Sequence, residues 1–245
     1  MSELTNNEYL VEQCVFKGLV YLSETLQYYW PGRLVNEGGQ PNQNRINIIA
    51  ENNIALHLAR SFSENGFLVW AEVPFQNAEK KLRVDFLAYH YSQGILATLE
   101  LKNNMSTPQN NLADLRRLVD ISRMDLISED HAFNNAAISR SPHKIYGIIS
   151  LLERVEFADW WHSPQLCQEF TPQYHNAPDY KIIGQALAKA DCRSVQPLIE
   201  MRQVGRYPEA YKELCDVFRN RLIRAGYALY NEATIKNELE PLLNS

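Results

Sequence analysis

The spacing of apolar residues changes at Asn65-Gly66, and that change limits the chain to few folds. Before it, Ile48, Ala55, Leu58 and Phe62 recur at helical intervals, so residues 45–64 read as a helix closed by a turn. After it come three runs rich in branched and aromatic residues, 67–75, 82–89 and 95–101. Polar or glycine-containing turns separate them, and they read as strands. Pro108 opens a second helical pattern of about twenty residues through Leu112, Leu115, Leu118, Ile121 and Leu126. A polar loop then leads to a further strand at 144–151. The order helix, three strands, helix, strand predicts an α/β fold in which helices flank a mixed sheet.

The flanks add less. Residues 7–27 read as an N-terminal helix, and the stretch from Trp30-Pro31-Gly32 to Gly38-Gly39-Gln40-Pro41-Asn42 reads as a breaker-rich loop. Helical patterns at 180–190, 208–224 and 232–243 predict a mostly helical C-terminal elaboration. The expected organisation is an N-terminal helix and loop at 1–44, a core at 45–152, and an elaboration of the same domain at 153–245. A chain of 245 residues accommodates that as one large domain.

Several function classes are disfavoured. Cys14, Cys167, Cys192 and Cys215 form no CxxC pair, so neither a zinc motif nor a disulfide framework is expected. The polar, acidic start of the chain does not resemble a targeting peptide, and no apolar run is long enough to span a bilayer. A cytoplasmic location away from membranes is the expectation. A net charge of −5 does not advertise a nucleic-acid binder, although a local basic patch beside an acidic site is compatible with it.

The chemistry concentrates in Arg83-Val84-Asp85-Phe86-Leu87-Ala88-Tyr89 and Ala97-Thr98-Leu99-Glu100-Leu101-Lys102. Strand side chains alternate, so Glu100 and Lys102 share one face and Leu99 and Leu101 the other. If Tyr91-Ser92-Gln93-Gly94 is the hairpin turn, the register is centred between 92 and 93 and sets Asp85 opposite Glu100. Directly opposed residues have Cβ atoms about 4.5–5.5 Å apart. Two carboxylates at that distance repel, and a divalent cation between them reverses the sign of the interaction. Glu51 is a separate oddity, because it falls on the apolar face of its helix. It needs a buried partner or else sits in the first turns to complement the positive helix end.

These residues and their order resemble the core of the PD-(D/E)xK nuclease superfamily, the restriction-endonuclease-like αβββαβ fold. The resemblance covers roughly residues 45–152. Asp85 matches the acidic residue of the second strand, Glu100-Leu101-Lys102 matches the Glu-x-Lys of the third, and Glu51 matches an acidic residue of the first core helix. Val84 stands where the family name has proline. The resemblance implies a metal-dependent endonuclease that hydrolyses phosphodiester bonds in DNA, in a setting of restriction, foreign-DNA defence or repair, with RNA as the other substrate. It implies Mg²⁺, replaceable by Mn²⁺, held by Asp85, Glu100, the carbonyl of Leu101 and Glu51, with Lys102 stabilising charge in the transition state.

Nucleic-acid contacts are expected from Lys81, Arg83, Arg116 and Arg117, each of which also reads as part of a solvated face, and from Gln109, which also reads as a helix cap. Trp160-Trp161-His162 and Tyr28-Tyr29-Trp30 read either as base-stacking groups or as core or partner-interface packing. A homodimer or a partner protein of a defence or restriction system would suit such an enzyme. The competing reading is a nuclease-like fold that serves as a catalytically idle nucleic-acid-binding or assembly subunit.

Overall fold

The computed structural model describes residues 5–33, 51–76, 79–103, 108–126, 142–152, 161–164, 178–198 and 224–244. Its helices are α1 (Asn6–Arg33), α2 (Glu51–Glu64), α3 (Pro108–Ser122) and α4 (Pro178–Ala188). A short C-terminal run follows: α5 (Glu232–Thr234), a π-helical stretch Ile235–Leu239, and α6 (Glu240–Leu243). The strands are β1 (Leu68–Gln76), β2 (Lys81–His90), β3 (Ile95–Lys102), β4 (Asp125–Leu126), β5 (His143–Leu152), β6 (Cys192–Pro197) and β7 (Arg224–Asn231). All seven strands belong to one sheet, in the order β4-β1-β2-β3-β5-β7-β6. Only β3 and β5 run parallel, which makes the sheet mixed.

Alternation along the strands divides the apolar side chains between two cores. Leu99 and Leu101 of β3 pack with Val11, Val15 and Leu19 of α1 and with Ile54, Leu58 and Phe62 of α2. On the other face, Leu87, Tyr89 and Ile148 pack with Leu112, Leu115 and Leu118 of α3, Ile183 and Leu187 of α4, and Ile235 and Leu239. The sheet is therefore the middle of three layers, and β3, in mid-sheet, is buried along almost its whole length. Thr5 and Glu8 hold the start of α1 reciprocally: the Thr5 N–H donates to Glu8 Oε2 at 2.8 Å and the Glu8 N–H to Thr5 Oγ1 at 3.4 Å.

Three sequence expectations change. Helix α1 continues through Trp30-Pro31-Gly32 to Arg33. Pro31 lies in its last turn, where the missing N–H removes only one hydrogen bond before the helix ends. The described part of α2 begins at Glu51, and 45–50 lie outside the described residues. Helix α3 stops at Ser122 and Leu126 instead pairs with Phe75, because a two-residue β4 completes the β1 edge. The C-terminal elaboration also supplies two strands, β6 and β7, of which β7 pairs with β5. The expected helix at 208–224 lies almost wholly outside the described residues, and Arg224 begins β7.

Candidate active site

The β2–β3 hairpin has the register counted from sequence. Phe86 pairs with Leu99, Ala88 with Ala97, and His90 with Ile95. Gly94, at φ 63°, takes the left-handed conformation that closes the turn, and its N–H donates to the His90 carbonyl at 2.8 Å. Continued by one residue, this register sets Asp85 against Glu100, but the ladder ends at Phe86–Leu99. In its place the Leu101 N–H donates to the Asp85 carboxylate, Oδ2, at 2.7 Å. A side chain thus accepts the bond that a strand carbonyl would otherwise take.

Asp85 is released on its other side as well. The β1–β2 pairing is continuous except at Glu72 and Asp85. Glu72 has φ 54°, a left-handed conformation that costs a side-chain-bearing residue about 1–2 kcal/mol. The break switches faces: Phe86 and Ala88 belong to the α1–α2 core, while Val84 belongs to the α3 core. In an unbroken strand all three would share a face. Local irregularity therefore frees the Asp85 carboxylate from the sheet and aims it at the end of β3.

Glu100 and Lys102 project toward α3, which contributes Asp114 and Arg117. Glu100 is fully buried, and Arg117 Nη1 lies 2.7 Å from its Oε2. Its other oxygen, Oε1, is buried without a hydrogen-bond partner. Burial first, then the neighbouring Asp85 and Asp114 carboxylates, push the Glu100 pKa up to about 9 against the opposing pull of Arg117. Lys102 Nζ lies 3.0 Å from Asp114 Oδ2, 3.7 Å from Glu51 Oε1 and 3.1 Å from the Leu101 carbonyl. Burial opposes the Lys102 ammonium, yet Asp114 and Glu51 outweigh it and hold its pKa above the ordinary value. Asp114, 1% exposed, is raised to about 6 by burial, although Lys102 and Arg117 pull it down. Arg117 Nη2 also reaches Asp114 Oδ1 at 3.4 Å.

The structure brings the expected residues to one place. Asp85, Glu100 and Lys102 meet at the end of β3, and Glu51, at the start of α2, accepts from the Asn103 backbone and side chain at 3.4 Å each. Glu51 also lies in the first turn of the described part of α2 and is half-buried. Asp114 was not singled out from sequence. Its signal is an acid at i−3 from Arg117 on a helix whose neighbouring positions, Leu112, Leu115 and Leu118, are buried.

Arg117, expected at nucleic acid, grips Glu100 in this structure, because it lies on the half-buried side of α3 while Arg116 is exposed. Lys81 and Arg83 are exposed ahead of Asp85 on β2, and Gln109 is exposed in the first turn of α3. Trp161 is core: it packs where a Cβ on Gly226 would otherwise stand. The side chains of Tyr28, Tyr29 and Trp30, and all of Trp160, lie outside the described residues.

The donor set suits a hard cation of low ligand demand. Among the described residues no group of three or more His, Cys, Asp or Glu is arranged to hold a metal. Asp85 and Glu100 do form a close carboxylate pair, one of whose buried oxygens has no donor. Mg²⁺ is held by one or two carboxylates with several waters, so this pair is sufficient in kind. The Leu101 carbonyl, the third expected ligand, faces the Lys102 ammonium, and Glu51 is occupied by Asn103 and Lys102. The four carboxylates Glu51, Asp85, Glu100 and Asp114 against the cations Lys102 and Arg117 leave a formal charge of −2 when all are ionised, equal and opposite to one divalent ion.

Compared with models of protein families, with curated proteins and with solved structures, the chain matches none. Among the described residues no helix is long and apolar enough to cross a membrane.

Proposed function

We propose that the chain is a metal-dependent nuclease of the PD-(D/E)xK type that hydrolyses phosphodiester bonds, with DNA as substrate. The observation that carries this reading is the buried Glu100 carboxylate beside Asp85, with one oxygen left without a donor. Two neighbouring carboxylates repel when both are ionised, and a divalent cation between them reverses the sign of that interaction. Asp85 and Glu100 would hold Mg²⁺ or Mn²⁺, which when bound supplies positive charge to the scissile phosphate and acidifies a water. Asp85 is oriented by the Leu101 N–H, so it offers one oxygen in a defined direction. The Lys102 ammonium is held between Asp114 and Glu51, ready to stabilise negative charge that develops only in the transition state. Exposed Lys81, Arg83, Gln109 and Arg116 would contact the nucleic-acid backbone. A cytoplasmic setting in restriction, defence or repair, alone or with a partner subunit, suits this chemistry.

One observation favours a second reading, an idle nuclease-like binding or assembly subunit. The Arg117 guanidinium already neutralises Glu100, as a structural ion pair would. Incubation of the protein with plasmid, single-stranded DNA and RNA in Mg²⁺, Mn²⁺ or EDTA separates the two. The nuclease reading expects cleavage that EDTA abolishes and Asp85→Asn lowers by about 10²-fold or more. Binding of nucleic acid with no cleavage in any metal would favour the idle subunit.

A further inference from the structure

We infer that Arg117 is a catalytic residue with two alternative partners: it holds Glu100 while no cation is present, and it turns to the scissile phosphate once a cation holds Glu100. This rests on the metal-site reading above and assigns a substrate-contacting role within it.

The geometry has three parts. Arg117 Nη1 bonds Glu100 Oε2 at 2.7 Å, so the guanidinium stands on one of the two carboxylates that a cation needs. Its Nη2 reaches Asp114 Oδ1 at a longer 3.4 Å, one helical turn earlier on α3. The arginine side chain is 34% exposed although Glu100 is 0%, so Arg117 links the buried carboxylate to the solvent side of the site.

The charges then decide the exchange. A guanidinium and a divalent ion on one buried carboxylate repel, and the doubly charged ion wins where it also gains Asp85. Displaced from Glu100, Arg117 keeps Asp114 as a tether. The planar donors that Asp114 does not hold then suit the non-bridging oxygens of a phosphodiester. Asp114 cannot easily release its cations, because at 1% exposure it would be left buried and charged. The arrangement makes cation binding and phosphate binding mutually supportive, since each draws Arg117 away from Glu100.

The test is Mn²⁺ binding by calorimetry to the full-length chain and to its Arg117→Met variant, without nucleic acid. A duplex DNA oligonucleotide is then titrated with and without Ca²⁺. Arg117→Met is expected to bind Mn²⁺ at least about tenfold tighter than the parent, a difference of about 1.4 kcal/mol, because no cation competes for Glu100. It is also expected to lose the gain in DNA affinity that Ca²⁺ gives the parent. Equal or weaker Mn²⁺ binding by Arg117→Met, with binding by the parent intact, would overturn the exchange and leave the metal site standing. No Mn²⁺ binding by either protein would overturn the metal site itself. Should Arg117→Met fail to fold, Arg117→Gln, which removes the charge but keeps a hydrogen-bond donor for the buried carboxylates, carries the same comparison. An unchanged Mn²⁺ affinity there would overturn the exchange.

Discussion

Lys102 Nζ and Asp114 Oδ2 lie 3.0 Å apart, joining the end of β3 to the middle of α3 through side chains that are 13% and 1% exposed. From sequence, Lys102 reads as a strand-end lysine whose loss would cost less than about 0.5 kcal/mol. The ion pair changes that expectation. Lys102→Ala removes the nearer of the two cations that compensate a buried carboxylate, which costs about 1–3 kcal/mol. Lys102→Ala is therefore expected to unfold at lower denaturant concentration than the parent and to cut at least about 10²-fold more slowly. Lys102→Ala/Asp114→Asn should recover much of the stability and none of the activity. Chemical denaturation of both variants alongside a cleavage assay measures the two effects separately. Recovered activity in the double variant would remove Lys102 from the mechanism.

Glu100 makes the metal-free protein sensitive to alkali. Its pKa in the fold, about 9, stands above the ordinary carboxyl value of 4.5. The sign follows from linkage: the stabilisation is complete below about pH 4.5 and is lost as pH rises toward 9. Asp114, raised to about 6, acts in the same direction at lower pH. In EDTA the parent should lose stability between pH 6 and pH 9 relative to Glu100→Gln, which carries no titrating group there. Added Mg²⁺ should reduce that loss, and its binding should release protons and strengthen with pH. Thermal melts at several pH values, with and without Mg²⁺, read the difference. Parallel pH profiles for parent and Glu100→Gln would show that Glu100 ionises normally.

Gly226 permits β7, which lies between β5 and the edge strand β6, to pack against Trp161. A Cβ at this position would stand 2.6 Å from the indole and 2.9 Å from Leu152 Cδ1. The indole is 3% exposed and has little room to retreat. Gly226→Ala is expected to cost about 1–3 kcal/mol through overpacking, read as a lower midpoint in urea. Unchanged stability would mean that Trp161 moves freely and is not a fixed part of the core.

How much was legible follows the range of the forces. The change from helical to alternating spacing at Asn65-Gly66 marks α2, β1, β2 and β3, because local periodicity reports which side of an element is buried. The hairpin register was also legible: a four-residue turn whose Gly94 takes a left-handed conformation sets the count, and Phe86 pairs with Leu99 as counted. Glu100 and Lys102 on one face followed from the same alternation. Strands β6 and β7 were missed because their partners are remote in sequence: β7 pairs with β5, 72 to 86 residues earlier, and Ala225, Tyr227 and Leu229 pack on α1 from the N-terminus.

The site divides in the same way. Residues on β2, β3 and α2 were nameable because carboxylates and a lysine at strand spacing stand out against apolar neighbours. Sequence alone could not say that β2 is released on both sides at Asp85, since the kink at Glu72 belongs to another strand. Nor could it choose Arg117 over Arg116 or bring in Asp114. Those choices depend on how α3 is rotated over the sheet, and burial of Leu112, Leu115 and Leu118 against β2 and β5 sets that rotation. The sequence by itself determined which groups able to do chemistry lie on which strand face. Tertiary packing decided which cation stands on which carboxylate, because burial and charge pairing arise only between elements that the chain brings together.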